Sequence, residues 1–153
     1  MNVNDRIREL GIEIPPPQQG RIMAPLCEMT NKTFITSGNT GKINGELLIT
    51  GKLGAEVDIE QGRQCARQCI LNLLGNIQHS IGDLNEIKQF VKMLGFIASK
   101  EDFHKQPEVM DAASQLLIDI FGLEIGKCAR SAIGVNVLPG NSPVEIEIIF
   151  KIK

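Results

Sequence analysis

The most regular pattern in the chain is at its end. In VEIEIIFKIK, Val144, Ile146, Ile148, Phe150 and Ile152 alternate with Glu145, Glu147, Ile149, Lys151 and Lys153. That period of two predicts a strand with one face in a core. The preceding ARSAIGVNV alternates as well, with Ser131, Ile133, Val135 and Val137 on one face and Arg130, Ala132, Gly134 and Asn136 on the other. The connection LPGNSP is turn chemistry, which predicts that the two strands pair as an antiparallel hairpin.

Two helices stand out by their period. Asp58 begins DIEQ, a capping-box pattern, and Ala66, Cys69, Ile70, Leu73, Leu74 and Ile77 then recur at spacings of three and four. Arg63, Arg67, Gln68, Asn72 and Asn76 read as the solvent side of that helix. Pro107 opens a second helix whose stripe is Met110, Ala113, Leu116, Leu117, Ile120 and Phe121, with Gly122 placed to end it. Between them, EIKQFVKMLGFIAS is apolar on both parities and predicts a strand covered on both faces. Upstream, RIMAPLCEMT and KTFITSG read as extended segments around a polar turn, followed by a glycine-rich stretch of turns and one short strand. Residues 1–20, ending in PPPQQG, form an N-terminal arm, and residues 21–153 form one domain.

The fold class that follows is α+β, a mixed sheet with two helices packed on one face. The aliphatic faces of the last two strands are expected to meet the helices. The opposite face, carrying Arg130, Glu145 and Glu147, is expected to look outward, where it can serve self-association or a ligand.

Composition narrows the functions. The 153 residues carry 16 Lys plus Arg against 18 Asp plus Glu, a net charge of −2, and neither Trp nor Tyr. No nucleic-acid partner is expected from an acidic chain without aromatic stacking platforms. The two histidines, His79 and His104, are far apart with no ligand pattern around them, so neither a metal nor another cofactor is expected. Four cysteines, no secretory leader at the N-terminus and no apolar run near the ~18 residues of a membrane span make a reduced, cytoplasmic protein the expectation, with no membrane partner. Cys65 and Cys69, at i and i+4, are read as core residues.

Two groups could carry chemistry. Arg130 sits among small residues, which suits a guanidinium gripping a carboxylate through two parallel hydrogen bonds; pairing with Glu145 or Glu147 across the hairpin is the structural alternative. Glu145 and Glu147, two residues apart on one face, could activate water if partly buried, or form the solvated side of a strand.

Taken together, FITSGN, the helix GRQCARQCILNLLGNI and the tail ARSAIGVNVLPGNSPVEIEIIFKIK resemble the YjgF/RidA family, also called endoribonuclease L-PSP, over about Gly20 to Lys153. The resemblance implies a chorismate-mutase-like fold, a homotrimer as the self-association, and a ligand cleft between subunits. It implies hydrolysis of reactive 2-imino or 2-enamino acids to the 2-keto acid and ammonia, without a cofactor. The partner is then a small carboxylate-bearing metabolite. A trimeric metabolite-binding protein and an endoribonuclease or translation inhibitor are the alternative functions. By the same resemblance Arg130 binds the substrate carboxylate, Glu145 positions the attacking water, and Gly38 lines the pocket with its backbone. Ala132 contributes backbone where relatives have a reactive Cys, and Asn39 stands where Gln is common. The pocket Tyr of relatives has no counterpart in this chain.

Overall fold

The computed structural model describes residues 1–18 and 22–153. In chain order the elements are α1 (Val3–Glu9), β1 (Leu26–Thr30), β2 (Thr33–Thr36), β3 (Asn39–Thr40), β4 (Lys42–Ile43), β5 (Glu46–Leu47), α2 (Ile59–Ile81), β6 (Ile87–Ala98), α3 (Gln106–Gly126), β7 (Ala129–Val135) and β8 (Val144–Ile152). The main sheet runs β1-β2-β8-β6-β7, with β3 added alongside β8, and β4 and β5 form a separate small ribbon. Only β6 and β7 are parallel within it; β1–β2, β2–β8, β3–β8 and β6–β8 are antiparallel. The architecture is α+β with a mixed sheet, and the described residues form three α-helices where the sequence predicts two.

The third helix, α1, is a short one that propensity alone would leave marginal. Asn2 caps it by accepting from the Asp5 amide at 3.1 Å. Tertiary contacts then hold it: Val3 and Ile7 are buried, and Arg6 Nε donates to the Asp119 carbonyl at 3.0 Å on α3. Beyond it the proline segment lies along α2. A Cβ at Gly75 would stand 2.3 Å from the Pro15 carbonyl oxygen, so the arm seats where α2 has no side chain. Gly75→Ala should therefore lower the melting temperature, although the same change in an open helix gains about 1 kcal/mol. A raised melting temperature would mean that the arm does not seat there.

Both halves of the predicted capping box form at α2: Gln61 N donates to Asp58 Oδ1 at 2.8 Å, and Asp58 N to Gln61 Oε1 at 2.9 Å. The stripe from Ala66 to Ile77 is buried as its period requires, with Cys65 and Cys69 in the same core. Asn72 and Asn76, expected on the solvent side, are buried too. Asn72 Nδ2 donates to the carbonyls of Thr40 and Lys42, and Asn76 Nδ2 to Asn39 Oδ1, so these amides satisfy irregular backbone and pin β3 against the helix. In α3, Gly122 takes φ 79°, but it kinks the helix rather than ending it, and a further turn continues to Gly126.

The tail differs from the expected hairpin in a way that governs the site. β7 and β8 do not pair; β6 lies between them, parallel to β7 and antiparallel to β8. Val144, Ile146, Ile148 and Phe150 of β8 face the helices, as predicted. The faces of β7 are reversed from the expectation: Arg130 is in register with the buried Met93, so Arg130, Ala132 and Gly134 turn toward the helices while Ser131 and Ile133 turn to the open face. A period of two fixes that faces alternate but not which is inner, and one residue of register inverts it. Among the described residues no helix lies over the open face; there Leu94 and Phe96 of β6, expected to be covered, are only half-buried.

Candidate functional site

Glu145 lies near the start of β8, opposite Phe96 on one side and Thr40 on the other, on the open face of the sheet. Its side chain accepts no hydrogen bond and makes no ion pair among the described residues, and the same holds for Glu147. Gly38 is directly against it: a Cβ there would stand 2.2 Å from Glu145 Oε1 and 3.0 Å from the carboxyl carbon. The sequence-predicted pair of Gly38 and Glu145 is thus brought into contact, and the missing side chain is what leaves the carboxyl its position.

Partial burial raises the pKa of Glu145 above the usual carboxylate value, and the charge of Glu147 adds to the shift. A carboxyl raised in this way contributes stability that is fully present below its unfolded pKa and is lost as pH rises through the folded value. Glu145→Gln should therefore raise the melting temperature at neutral pH, with the gain shrinking as pH falls toward about 4, where the wild-type group is protonated. A variant no more stable than wild type at neutral pH would contradict the strained carboxylate.

Asn39 is behind this pair rather than in front of it. It is buried, in register with the core residue Ile146, with Nδ2 donating to the Ser37 carbonyl at 3.2 Å and Oδ1 accepting from Asn76. Asn76 Oδ1 in turn accepts from the Gln18 amide at 2.8 Å. The chain Asn39–Asn76–Gln18 couples the strand carrying Gly38 to α2 and the arm. Asn39 acts as a support for Gly38 and offers no side-chain atom to the open face.

Arg130 is not with Glu145. The two stand on opposite faces of the sheet with β6 between their strands, about 10 Å apart by strand spacing alone. The expected alternative, an ion pair with Glu145 or Glu147 across a hairpin, is likewise absent. Arg130 Nη1 instead donates to Asp111 Oδ1 at 2.9 Å and Ser114 Oγ at 3.0 Å, and Nη2 to the Pro107 carbonyl at 3.4 Å, all on α3. Asp111 and Ser114 were not readable as site residues. They are polar positions on a helix face, and only the parallel course of β7 beside α3 brings Arg130 to them.

β7 is the last strand of the sheet, and its outer edge has no partner among the described residues. The Val135 carbonyl accepts from Ser99 N on the β6 side at 3.1 Å. By the alternation of a parallel strand, the N–H and C=O groups of Arg130, Ala132 and Gly134 then point to the free edge. Ala132 is half-buried and opposite Gly95, and its amide is positioned to donate beyond that edge. The concavities of about 360 and 490 Å³ between the arm, α2 and the β4–β5 ribbon touch neither Arg130 nor Glu145. Among the described residues there is no cluster of three or more metal-ligating side chains, and no helix is long and apolar enough to cross a membrane.

A family model described as YjgF/chorismate mutase-like, with endoribonuclease attached as a provisional activity, matches residues 8–151. Protein TCP17 of Trypanosoma cruzi is 32% identical over 95% of this chain and 91% of its own length. Among solved structures, Atu1372 of Agrobacterium tumefaciens, whose function is unknown, is 31% identical with a TM-score of 0.90, over 99% of this chain and 92% of that one. A Shewanella oneidensis protein provisionally called an endoribonuclease is 27% identical with a TM-score of 0.92, over 99% of this chain and all of that one.

Proposed function

Since the chain belongs to the YjgF/chorismate mutase-like family, we propose that it hydrolyses reactive 2-imino and 2-enamino acids to 2-keto acids and ammonia, in clefts shared by the subunits of a homotrimer. The observation that carries this reading is Glu145: a half-buried, unpartnered carboxyl of raised pKa, set against a glycine on an uncovered sheet face. Such a group is suited to take a proton at neutral pH. Because Arg130 and Glu145 are on opposite faces of one sheet, a single copy cannot apply both to one small molecule. A second copy docked on the open face resolves this, with Arg130 and the Ala132 amide at the free β7 edge of one subunit facing Glu145 and Gly38 of the next. Docking also covers Leu94, Phe96 and Ile133, which one chain leaves partly exposed.

The chemistry needs little more than positioning. Arg130 holds the substrate carboxylate, and water adds to the electrophilic imine carbon while Glu145 accepts its proton. The imine nitrogen takes up a proton from solvent to give a carbinolamine. Glu145 then returns its proton to that nitrogen, the hydroxyl gives its proton back to solvent as its oxygen forms the carbonyl, and the C–N bond breaks to release ammonia. Holding the reactants in place and supplying one proton-transfer group are the two contributions asked of the protein.

Ammonia release from an imino acid generated in solution is the test. Faster keto-acid formation with added protein, lost in Glu145→Gln, is expected. Carboxylate binding without acceleration would favour a metabolite-binding role. RNA cleavage that survives stringent purification and is lost in Arg130→Ala would favour the endoribonuclease name carried by relatives. Sedimentation is expected to show a trimer, and a stable monomer at micromolar concentration would remove the shared cleft.

A further inference from the structure

One run of hydrogen bonds joins the N-terminal arm to the surroundings of the Glu145 carboxyl. The Gln18 N–H donates to Asn76 Oδ1 at 2.8 Å, Asn76 Nδ2 to Asn39 Oδ1 at 3.2 Å, and Asn39 Nδ2 to the Ser37 carbonyl at 3.2 Å. Each side-chain amide accepts at one end and donates at the other, so the three bonds point the same way and polarise one another. Asn76 and Asn39 are only 3% and 5% exposed, so a mispaired amide at either place is costly. The Gln18 N–H sets the direction. With it in place, Asn76 presents its nitrogen to Asn39; without it, the amide is free to turn over and set two oxygens against each other. The run ends on the two residues that flank Gly38. Ser37 is held from the other side, its N–H donating to the Pro25 carbonyl at 2.9 Å and its Oγ to the Ala24 carbonyl at 2.6 Å. Gly38 has no side chain to hold it, takes its place from these neighbours, and forms one wall of the half-buried Glu145 carboxyl.

We propose that Asn76 is a positioning residue for Glu145, and that the N-terminal arm, through the single Gln18 N–H, keeps Asn76 in the orientation this needs. The arm then supports the site as well as seating on α2. This rests on Glu145 as the reactive carboxyl of the proposed function. The titratable groups that act on Glu145 are Glu147 of its own strand and the buried Cys69 thiol of α2. Thr40 and Phe96, opposite it on β3 and β6, carry no charge. A substitution in the arm changes none of these groups, so a change in the Glu145 titration reports on the wall at Gly38.

The test follows the Glu145 side-chain carboxyl by carbon-13 NMR titration of the full-length protein, which needs no turnover. Gln18→Pro removes the N–H while extending the proline run Pro15–Pro17, so the arm keeps its course. Gln18→Ala removes the side chain and keeps the N–H. In Gln18→Pro the carboxyl should titrate at lower pH than in wild type, nearer the ordinary carboxylate value, as water enters beside Gly38. Gln18→Ala should titrate as wild type does. Asn76→Ala should shift the titration in the same direction as Gln18→Pro. For imino-acid hydrolysis, kcat in Gln18→Pro should fall about tenfold with KM near wild type. A Glu145 titration unchanged in both Gln18→Pro and Asn76→Ala, with only the melting temperature lowered, overturns this inference alone. The expected titration shifts in a protein whose wild type hydrolyses no imino acid overturn the proposed function and leave the positioning standing.

Discussion

Gly38→Ala is expected to lower kcat/KM for imino-acid hydrolysis by about 100-fold, comparable to removing the Glu145 carboxylate. The backbone at Gly38 is not in the left-handed region, so an alanine there meets no conformational penalty. The whole effect is steric: a Cβ would lie 2.2 Å from Glu145 Oε1 and 3.2 Å from its Cγ. The carboxyl must swing away, and with it the water that it orients. A cycle with Glu145→Ala isolates this cause, because truncation removes the three atoms nearest to the new methyl group. Gly38→Ala should then cost almost nothing further, a coupling that only neighbouring residues show. Additive losses in the double variant would mean that Gly38 serves the site by another route, such as its own amide.

Arg130→Lys should be nearly as damaging as Arg130→Ala. Lysine keeps the charge but loses the planar fork that gives two parallel bonds to a carboxylate. Loss of that grip should remove roughly 2–4 kcal/mol of transition-state stabilisation, or about 30- to 1000-fold in kcat/KM. The melting temperature separates this from a structural role. Asp111, the ion-pair partner, is more than half exposed, so its pairing with Arg130 adds little to stability. Both variants should melt close to wild type while turnover collapses. Near-wild-type turnover with lysine would remove Arg130 as the anchor.

Local signals were the part of the structure legible in the sequence. The capping box at Asp58, the stripe from Ala66 to Ile77 and the alternation from Val144 to Ile152 each depend on neighbours a few residues away, and each formed as read. What depended on distant partners did not follow. The turn LPGNSP suggested a hairpin, but β6 satisfies β7 and β8 from both sides, and that inserted strand inverts the inward face of β7. Buried Asn72 and Asn76 resembled solvent positions because the groups they satisfy, the Thr40 and Lys42 carbonyls and the Asn39 side chain, lie thirty or more residues away in sequence. Glu145 and Gly38 could be named through family resemblance, but the reason for the glycine is visible only in contact. Arg130 stood out by its small neighbours, with its role implied by the resemblance, whereas Asp111 and Ser114 carried no signal without the course of β7 along α3.

The central claim is that Arg130 and Glu145 act on one molecule from two different copies of the chain. It is tested most directly by mixing two inactive variants, Arg130→Ala and Glu145→Gln, under conditions that exchange subunits. Random assembly of trimers places an intact Arg130 opposite an intact Glu145 in about one cleft in four. Hydrolysis of 2-aminoacrylate generated in solution should then recover to about a quarter of the wild-type rate. Mixed trimers that form, yet remain as inactive as either parent, would contradict the shared site.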